Sequence, residues 1–554
     1  MNTFKMRPSE IENQQVDLYQ SRTARPRGTN VVLLLILFAI IPTAFFVEAL
    51  QLSKASGPQW LGLKFENSYT YLFNSLLIVN GESPAYTDHP GVTTELFGAA
   101  CLRLSGHGPE KSLTNSVAEN PEHYLKKMHR ALLIVCALAV WIFPLLVARR
   151  IQSPVRGLLL QVPVLFFNTI LSYTISYNSD VFLVIPCFAS IYVCILLLRQ
   201  RKEGAVKLGT CLAAGVVSAL GITTKLTFFP LILISLFCCR GFKSWFVFAC
   251  GFVIASAVVL IPIYSEIARV FTWILALATH SGYYGNGEVG FARADAYIPD
   301  IISLLSREPS VALIPIASTI VILIASLSSR RQENGSQQQR SAWTASAILI
   351  LQLLSFLIVA KHANFHYLIP LYLSTGINLV LLYDLCRQSG KVAWKTILAA
   401  GVLAMLLLNG FNTLFTGTIS LYNSLRSVRT DQLSFATRVR GITKDAVRVD
   451  YYPSITPEFA LCFGNGYARR AFARNLEALY PRALFFNIFN GRFESFSNFF
   501  DQSVILAKYE HLYFFGDPYL FKTTGFGEQK YFKSKELHEV AHHGDYVLQE
   551  WIRP

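Results

Sequence analysis

The stretch Phe65–Leu96, FENSYTYLFNSLLIVNGESPAYTDHPGVTTEL, follows the first strongly apolar run of the chain and decides how the rest is read. Its first half is aromatic and helical in pattern. It is closed by a turn, Asn80-Gly81-Glu82-Ser83-Pro84, before a second polar motif around Asp88. Glu66 and Asp88 stand twenty-two residues apart, so a helix that doubles back through this turn is expected to put both carboxylates on one pocket wall at a membrane surface.

Composition supplies the membrane. Of 554 residues, 53% are hydrophobic and 15% charged, and many apolar runs approach the roughly 17–25 residues that cross a bilayer as a helix. Eleven spans are expected, at 30–50, 131–148, 157–174, 181–198, 208–222, 226–239, 245–264, 311–328, 343–360, 367–384 and 396–413. The net charge of +15 would suggest nucleic acid in a soluble protein. Here the basic residues gather in short links between apolar runs (Arg149-Arg150 to Arg156, Arg199 to Lys207, Arg240 to Lys243, Arg330-Arg331 to Arg340, Arg387 to Lys395), which marks those links as cytoplasmic and leaves no nucleic-acid surface. Seven of the ten cysteines lie inside apolar runs, where they act as small hydrophobes, and no CxxC pair suggests redox or zinc chemistry.

The expected fold class is therefore an α-helical polytopic protein of the plasma (inner) membrane with a small α/β domain at its carboxyl end. Residues 1–29 form a basic tail without a cleavage site, read as cytoplasmic. Residues 30–413 form the membrane domain, with long extracytoplasmic connections at 51–130 and 265–310. From 414 to 554 no run is long enough to span, and the segment is expected to be a soluble extracytoplasmic domain. Strands are expected at 447–452, 483–488 and 511–515, and Thr456-Pro457-Glu458 carries the signature of a helix start.

Four motifs, in this order and with this topology, resemble the GT-C superfamily of integral-membrane glycosyltransferases, in particular its protein mannosyltransferase and aminoarabinose transferase branch. They are Glu66 with Tyr69 and Tyr71, followed by Tyr86-x-Asp88-His89-Pro90; Ser176-Tyr177-Asn178-Ser179-Asp180; Gly221-x-x-x-Lys225; and Lys361-His362 to His366-Tyr367. The match covers roughly residues 30–385. Where the family often has Asp-Glu and Asp-His-Pro-Pro, this chain has Phe65-Glu66 and Asp88-His89-Pro90-Gly91, and His366 stands where an arginine is usual.

The resemblance implies transfer of a sugar from a polyprenyl-phosphate donor to an acceptor on the outer face, with inversion. The acceptor could be a glycan, a lipid or a protein. That reaction needs a carboxylate base and cations for the leaving phosphate. Glu66 is the first expectation for the base and Asp88 the second, with Asp180 orienting the base or, together with Glu66, holding a divalent ion such as Mg, Mn or Zn. Lys225, Lys361, His362, His366 and Arg293 are the cation candidates. Tyr69, Tyr86, His89, His280, Tyr283 and Tyr367 complete the expected substrate-binding set. Plainer roles stay open for several of these: Glu66 as the opening residue of a helix, Asp180 as a helix cap, Lys225 as a snorkelling side chain, and the 280–287 segment as an interfacial aromatic belt. A transporter or lipid-linked-sugar flippase is the alternative class, although no two related halves are visible.

Overall fold

The computed structural model describes residues 31–88, 90–106, 112–202, 204, 206–281, 287–328, 335–388, 393–519 and 537–553. The tail 1–29, His89 and Tyr283 lie outside the described residues.

Among the described residues seven helices are long and apolar enough to cross a membrane: Val31–Ser56, Pro121–Ile151, Ser179–Arg201, Phe242–Thr279, Thr344–His362, Phe365–Asp384 and Ile397–Ile442. An eighth span is formed if the pair Asp295–Arg307 and Ser310–Ile324, bent by 84° at its break, is counted as one. The remaining three apolar segments are helical but short. The segment expected at 157–174 is cut into Pro154–Gln161, Pro163–Phe166 and Asn168–Tyr173. Pro163 has no amide hydrogen to continue the first helix and its ring opens the second. The segments at 208–222 and 226–239 become Leu208–Thr224 and Leu226–Cys238, separated by a single residue, Lys225, in extended backbone (φ −162°, ψ 138°).

The two long connections are helical as well. Residues 51–130 fold into Lys64–Val79, Val92–Leu104 and Leu113–Glu119, followed by the first turns of Pro121–Ile151. The connection expected at 265–310 carries the helices Ile267–Thr279 and Ala294–Arg307 instead of a loop. Both are strongly amphipathic in pattern, which a search for uniformly apolar runs passes over.

The last apolar helix runs on past residue 414. It passes through a π turn at Thr413–Gly417 and continues as Thr418–Ile442, and the sheet opens only with β1, Arg448–Tyr451. The other strands are β2 Leu484–Asn487, β3 Arg492–Glu494, β4 Phe499–Phe500, β5 His511–Gly516, β6 Leu537–His543 and β7 Tyr546–Ile552. They form one sheet in the order β4-β3-β2-β1-β5-β7-β6, parallel where β1 meets β2 and β5 and antiparallel elsewhere. Between β1 and β2 lies the helix Pro457–Gly466, capped by the Thr456 hydroxyl, which accepts from the Phe459 amide at 3.2 Å.

This capped helix joins the sheet unit to the membrane unit. It packs on Lys64–Val79, where Phe65, Tyr69 and Phe73 recur every four residues and so share one face. The Phe65 ring meets Phe459 and Phe463 edge-on at 5.6 and 5.0 Å, and Phe73 stacks on Phe472 at 5.2 Å. Gly464 lets the two backbones close, since a Cβ there would stand 2.7 Å from the Tyr69 carbonyl oxygen.

Candidate active site

At the centre of the site is a buried ion pair. Lys225 Nζ donates to Asp180 Oδ1 at 2.7 Å and Oδ2 at 2.8 Å, and each side chain is only 4% exposed. The geometry follows from the chain breaks. Lys225 occupies the extended residue between two short helices, so its side chain turns into the bundle instead of lying along a helix surface. Asp180 is the second residue of the turn Ser179–Phe182, and the capping role belongs to Asn178, whose Oδ1 accepts from the Val181 amide at 2.9 Å. Neither the capping role for Asp180 nor the snorkelling role for Lys225 describes these residues.

Aromatic rings enclose the pair. Lys225 Nζ lies 4.9 Å from the centre of the Tyr367 ring, close enough for a cation–π contact. His366 is held between Tyr173 at 4.6 Å and Tyr367 at 4.3 Å, within electrostatic reach of both Asp180 and Lys225. Its Nδ1 is buried and makes no hydrogen bond among the described residues.

Tyr71 links this pair to the first motif. Its hydroxyl is hydrogen-bonded to Ser179 and lies within electrostatic reach of Glu95, Asp180 and Asp88. Gly91, at φ +69°, permits the approach, because a Cβ there would meet the Tyr71 hydroxyl at 3.1 Å. The loop that carries Asp88 is fixed from two sides. Asn74 Oδ1 accepts from the amides of Ala85 and Tyr86 at 2.7 and 2.9 Å. Arg269 donates to the Thr87 hydroxyl at 2.7 Å and to the Ala85 carbonyl. Burial pushes the Asp88 carboxyl above its ordinary value, and the neighbouring Arg269 guanidinium opposes the shift.

Glu66 faces elsewhere. Its carboxylate accepts from the Tyr452 hydroxyl at the end of β1, and among the described residues it makes no contact with Asp88, Asp180 or Lys225. Burial raises its carboxyl and the Tyr452 bond works against that. Tyr69 donates to Glu122 Oε1 at 3.2 Å, which also accepts from the Gln59 amide at 2.8 Å; this is a structural knot beside the sheet unit. Tyr86 packs between Tyr71 and Tyr467 at 5.6 and 5.5 Å.

The other expected cations form a separate group. Lys361 donates to the Leu277 carbonyl and covers the Phe291 ring at 5.0 Å, with His362 beside it. His280 pairs with Val289 as an isolated bridge and shares a hydrogen bond with Thr279 at 2.9 Å. Arg293 is exposed and bonded to Asp295 two residues on. Of the two carboxylates expected to share a divalent ion, Asp180 accepts from Lys225 through both oxygens and Glu66 accepts from Tyr452, so the two face different partners. Among the described residues no three His, Cys, Asp or Glu side chains converge on a point.

Three residues of the site carry no signal in the sequence. Arg269 is a single cation inside an amphipathic helix within the expected connection 265–310. Asn74 looks like one polar residue in an aromatic helix. Glu95 has 0% exposure and neither of its oxygens has a hydrogen-bond partner among the described residues, so burial drives its carboxyl well above the ordinary glutamate value. Its place in the first turn of Val92–Leu104 makes it look like an ordinary dipole-complementing acid.

No family model matches the chain, and no curated protein matches it. Two solved structures are similar to it in fold. The crystal structure of ArnT from Cupriavidus metallidurans bound to undecaprenyl phosphate is 11% identical, with a TM-score of 0.46 over 93% of this chain and 97% of that one. The crystal structure of ArnT from Cupriavidus metallidurans in the apo state is 12% identical, with a TM-score of 0.48 over 94% of this chain and 98% of that one.

Proposed function

We propose that this protein is a membrane glycosyltransferase that moves a sugar from a polyprenyl-phosphate donor to an acceptor hydroxyl at the outer face, with inversion at the anomeric carbon. The observation that carries this reading is the Asp180-anchored Lys225 ammonium, with Tyr71 within electrostatic reach of both Asp180 and Asp88. An acid-base group and a fixed cation are what displacement of a lipid phosphate requires.

In the reaction the acceptor oxygen forms a bond to the anomeric carbon as the bond from that carbon to the phosphate oxygen breaks. Asp88 takes the acceptor proton. Burial shifts its carboxyl upward, which makes it a stronger base than an exposed aspartate. The departing phosphate gains negative charge, which Lys225 meets from one side and Arg269 from the other, with His366 adding a donor. Asp180 is the group that holds Lys225 in place, and an ammonium that gives two N–H groups to a carboxylate keeps a third for the phosphate. The prenyl chain would lie along the short apolar helices on either side of Lys225.

Purified protein given the lipid-linked donor should release free polyprenyl phosphate only when the acceptor is present. Movement of intact donor across the bilayer with no release would assign the chain to transport instead. The topology belongs to the same reading, with the amino end in the cytoplasm and the sheet unit outside. A reporter fused after Pro554 is expected to be active only in the extracytoplasmic compartment. Activity of that fusion in the cytoplasm would place the Asp180 site on the wrong face for this reaction.

A further inference from the structure

Apart from this site, the helices Val31–Ser56, Pro121–Ile151 and Thr418–Ile442 enclose a cavity of about 460 Å³ where the first two end near the turn Gly57-Pro58. Four cations from the three helices line it: Lys54, Lys126, Arg130 and Arg429. No carboxylate lines it, and among the described residues none of the four makes an ion pair. Leu50 also lines it.

The cavity is built. Arg429 is held at the rim by a bond from Nη1 to the Lys54 carbonyl at 2.9 Å, its stem lying over Gly57, where a Cβ would meet Cγ at 3.0 Å. At the back, buried His129 donates through Nε2 to the Thr174 carbonyl at 2.7 Å, and its Nδ1 meets the Ser53 hydroxyl at 3.4 Å. Lys64 stands behind the wall, its ammonium on the Ser56 carbonyl at 2.6 Å. Burial lowers Lys64 to about 7; the Glu122 carboxylate works against that shift and Arg429 adds a smaller push to it.

Ordinary surface roles do not account for the cluster. Lys54 complements the carboxyl end of its helix, but Lys126 and Arg130 lie near the amino end of theirs, where the dipole gives a cation no benefit. They are also four residues apart, which puts two like charges on one helix face. The positive-inside rule explains Arg149 and Arg150 at the opposite end of the same helix and therefore leaves this end without a reason to be basic.

We infer that the cavity binds the phosphate of an anionic phospholipid headgroup. Two of its three walls are ends of membrane-spanning helices, so the molecule nearest its mouth is a lipid, and converging Lys and Arg side chains suit a phosphate diester. The site is independent of the catalytic proposal.

The test uses the full-length protein reconstituted in phosphatidylcholine nanodiscs, with phosphatidylglycerol titrated in and bound lipid counted by native mass spectrometry. The wild type is expected to retain phosphatidylglycerol over phosphatidylcholine, and K126Q/R130Q to lose that preference by roughly tenfold or more. R149Q/R150Q, at the other end of the same helix, should retain it. Equal retention of the two lipids by the wild type overturns the proposal, as does undiminished preference in K126Q/R130Q. Inorganic phosphate at millimolar concentration serves as the competing source. If it abolishes lipid retention and binds as tightly in detergent without lipid, the site is one for free phosphate and the lipid assignment is wrong.

Discussion

Replacing Lys225 with methionine should abolish turnover and lower the stability of the membrane unit by about 3–5 kcal/mol, the usual cost of removing one partner from a buried ion pair. The cost comes from the carboxylate left behind. Asp180 is only 4% exposed and receives both of its short hydrogen bonds from Lys225, so the single variant leaves an unpaired charge in a medium that cannot solvate it. Loss of activity in that variant alone would therefore not separate chemistry from folding. The double variant D180N/K225M makes the separation, because a buried pair replaced on both sides often costs little. It should regain most of the thermal stability that K225M loses and remain at least about a hundredfold slower than wild type, as expected when a cation is removed from a developing phosphate charge. A double variant that is stable and also turns over like wild type would make the pair a scaffold, and the phosphate would then fall to Arg269 and His366.

Much of the architecture could be read from local pattern. The strands at 448–451, 484–487 and 511–516 were visible as short apolar and aromatic runs, and the Thr456 cap followed from Thr-Pro-Glu, because both signals lie within a few residues of the structure they produce. The membrane unit was readable as apolar helices, but not where they break. Only the fold shows that Lys225 sits in an extended residue between two short helices, and that this break is what turns the lysine inward.

The catalytic pairing was less visible. Asp180 and Lys225 belong to separate motifs forty-five positions apart, and nothing in the sequence between them announces a shared bond. Glu66 shows the limit most clearly. Its neighbour Phe65 anchors the helix on Phe459 and Phe463, and this rotates the carboxylate toward Tyr452, a partner 386 residues further along the chain. The expectation that Glu66 and Asp88 share one wall assumed a rotation that local spacing cannot fix. Arg269 was hidden for a related reason: one charge in an amphipathic helix is ordinary until the fold places the Asp88 loop against it.

That arrangement leads to the second large effect. Asp88→Asn is expected to reduce turnover about 10²–10⁴-fold, the range for loss of a general base, while the protein folds and inserts normally. Glu66→Gln should cost less than about tenfold, because a glutamine oxygen still accepts from the Tyr452 hydroxyl and keeps the joint between the two units. The pH dependence tests the same assignment independently. A base works when deprotonated, so activity rises with pH through the pKa of the group that carries it. Burial places the Asp88 carboxyl above the ordinary aspartate value, and the acid limb of kcat/KM should therefore lie higher than for an exposed aspartate. Arg269 is the group that holds the shift back. Arg269→Gln should move the acid limb further up and lower the rate most on the acid side, while Tyr452→Phe should leave the limb where it is. If Tyr452→Phe moves the limb upward and Arg269→Gln does not, the proton goes to Glu66, whose carboxyl is the one that Tyr452 restrains.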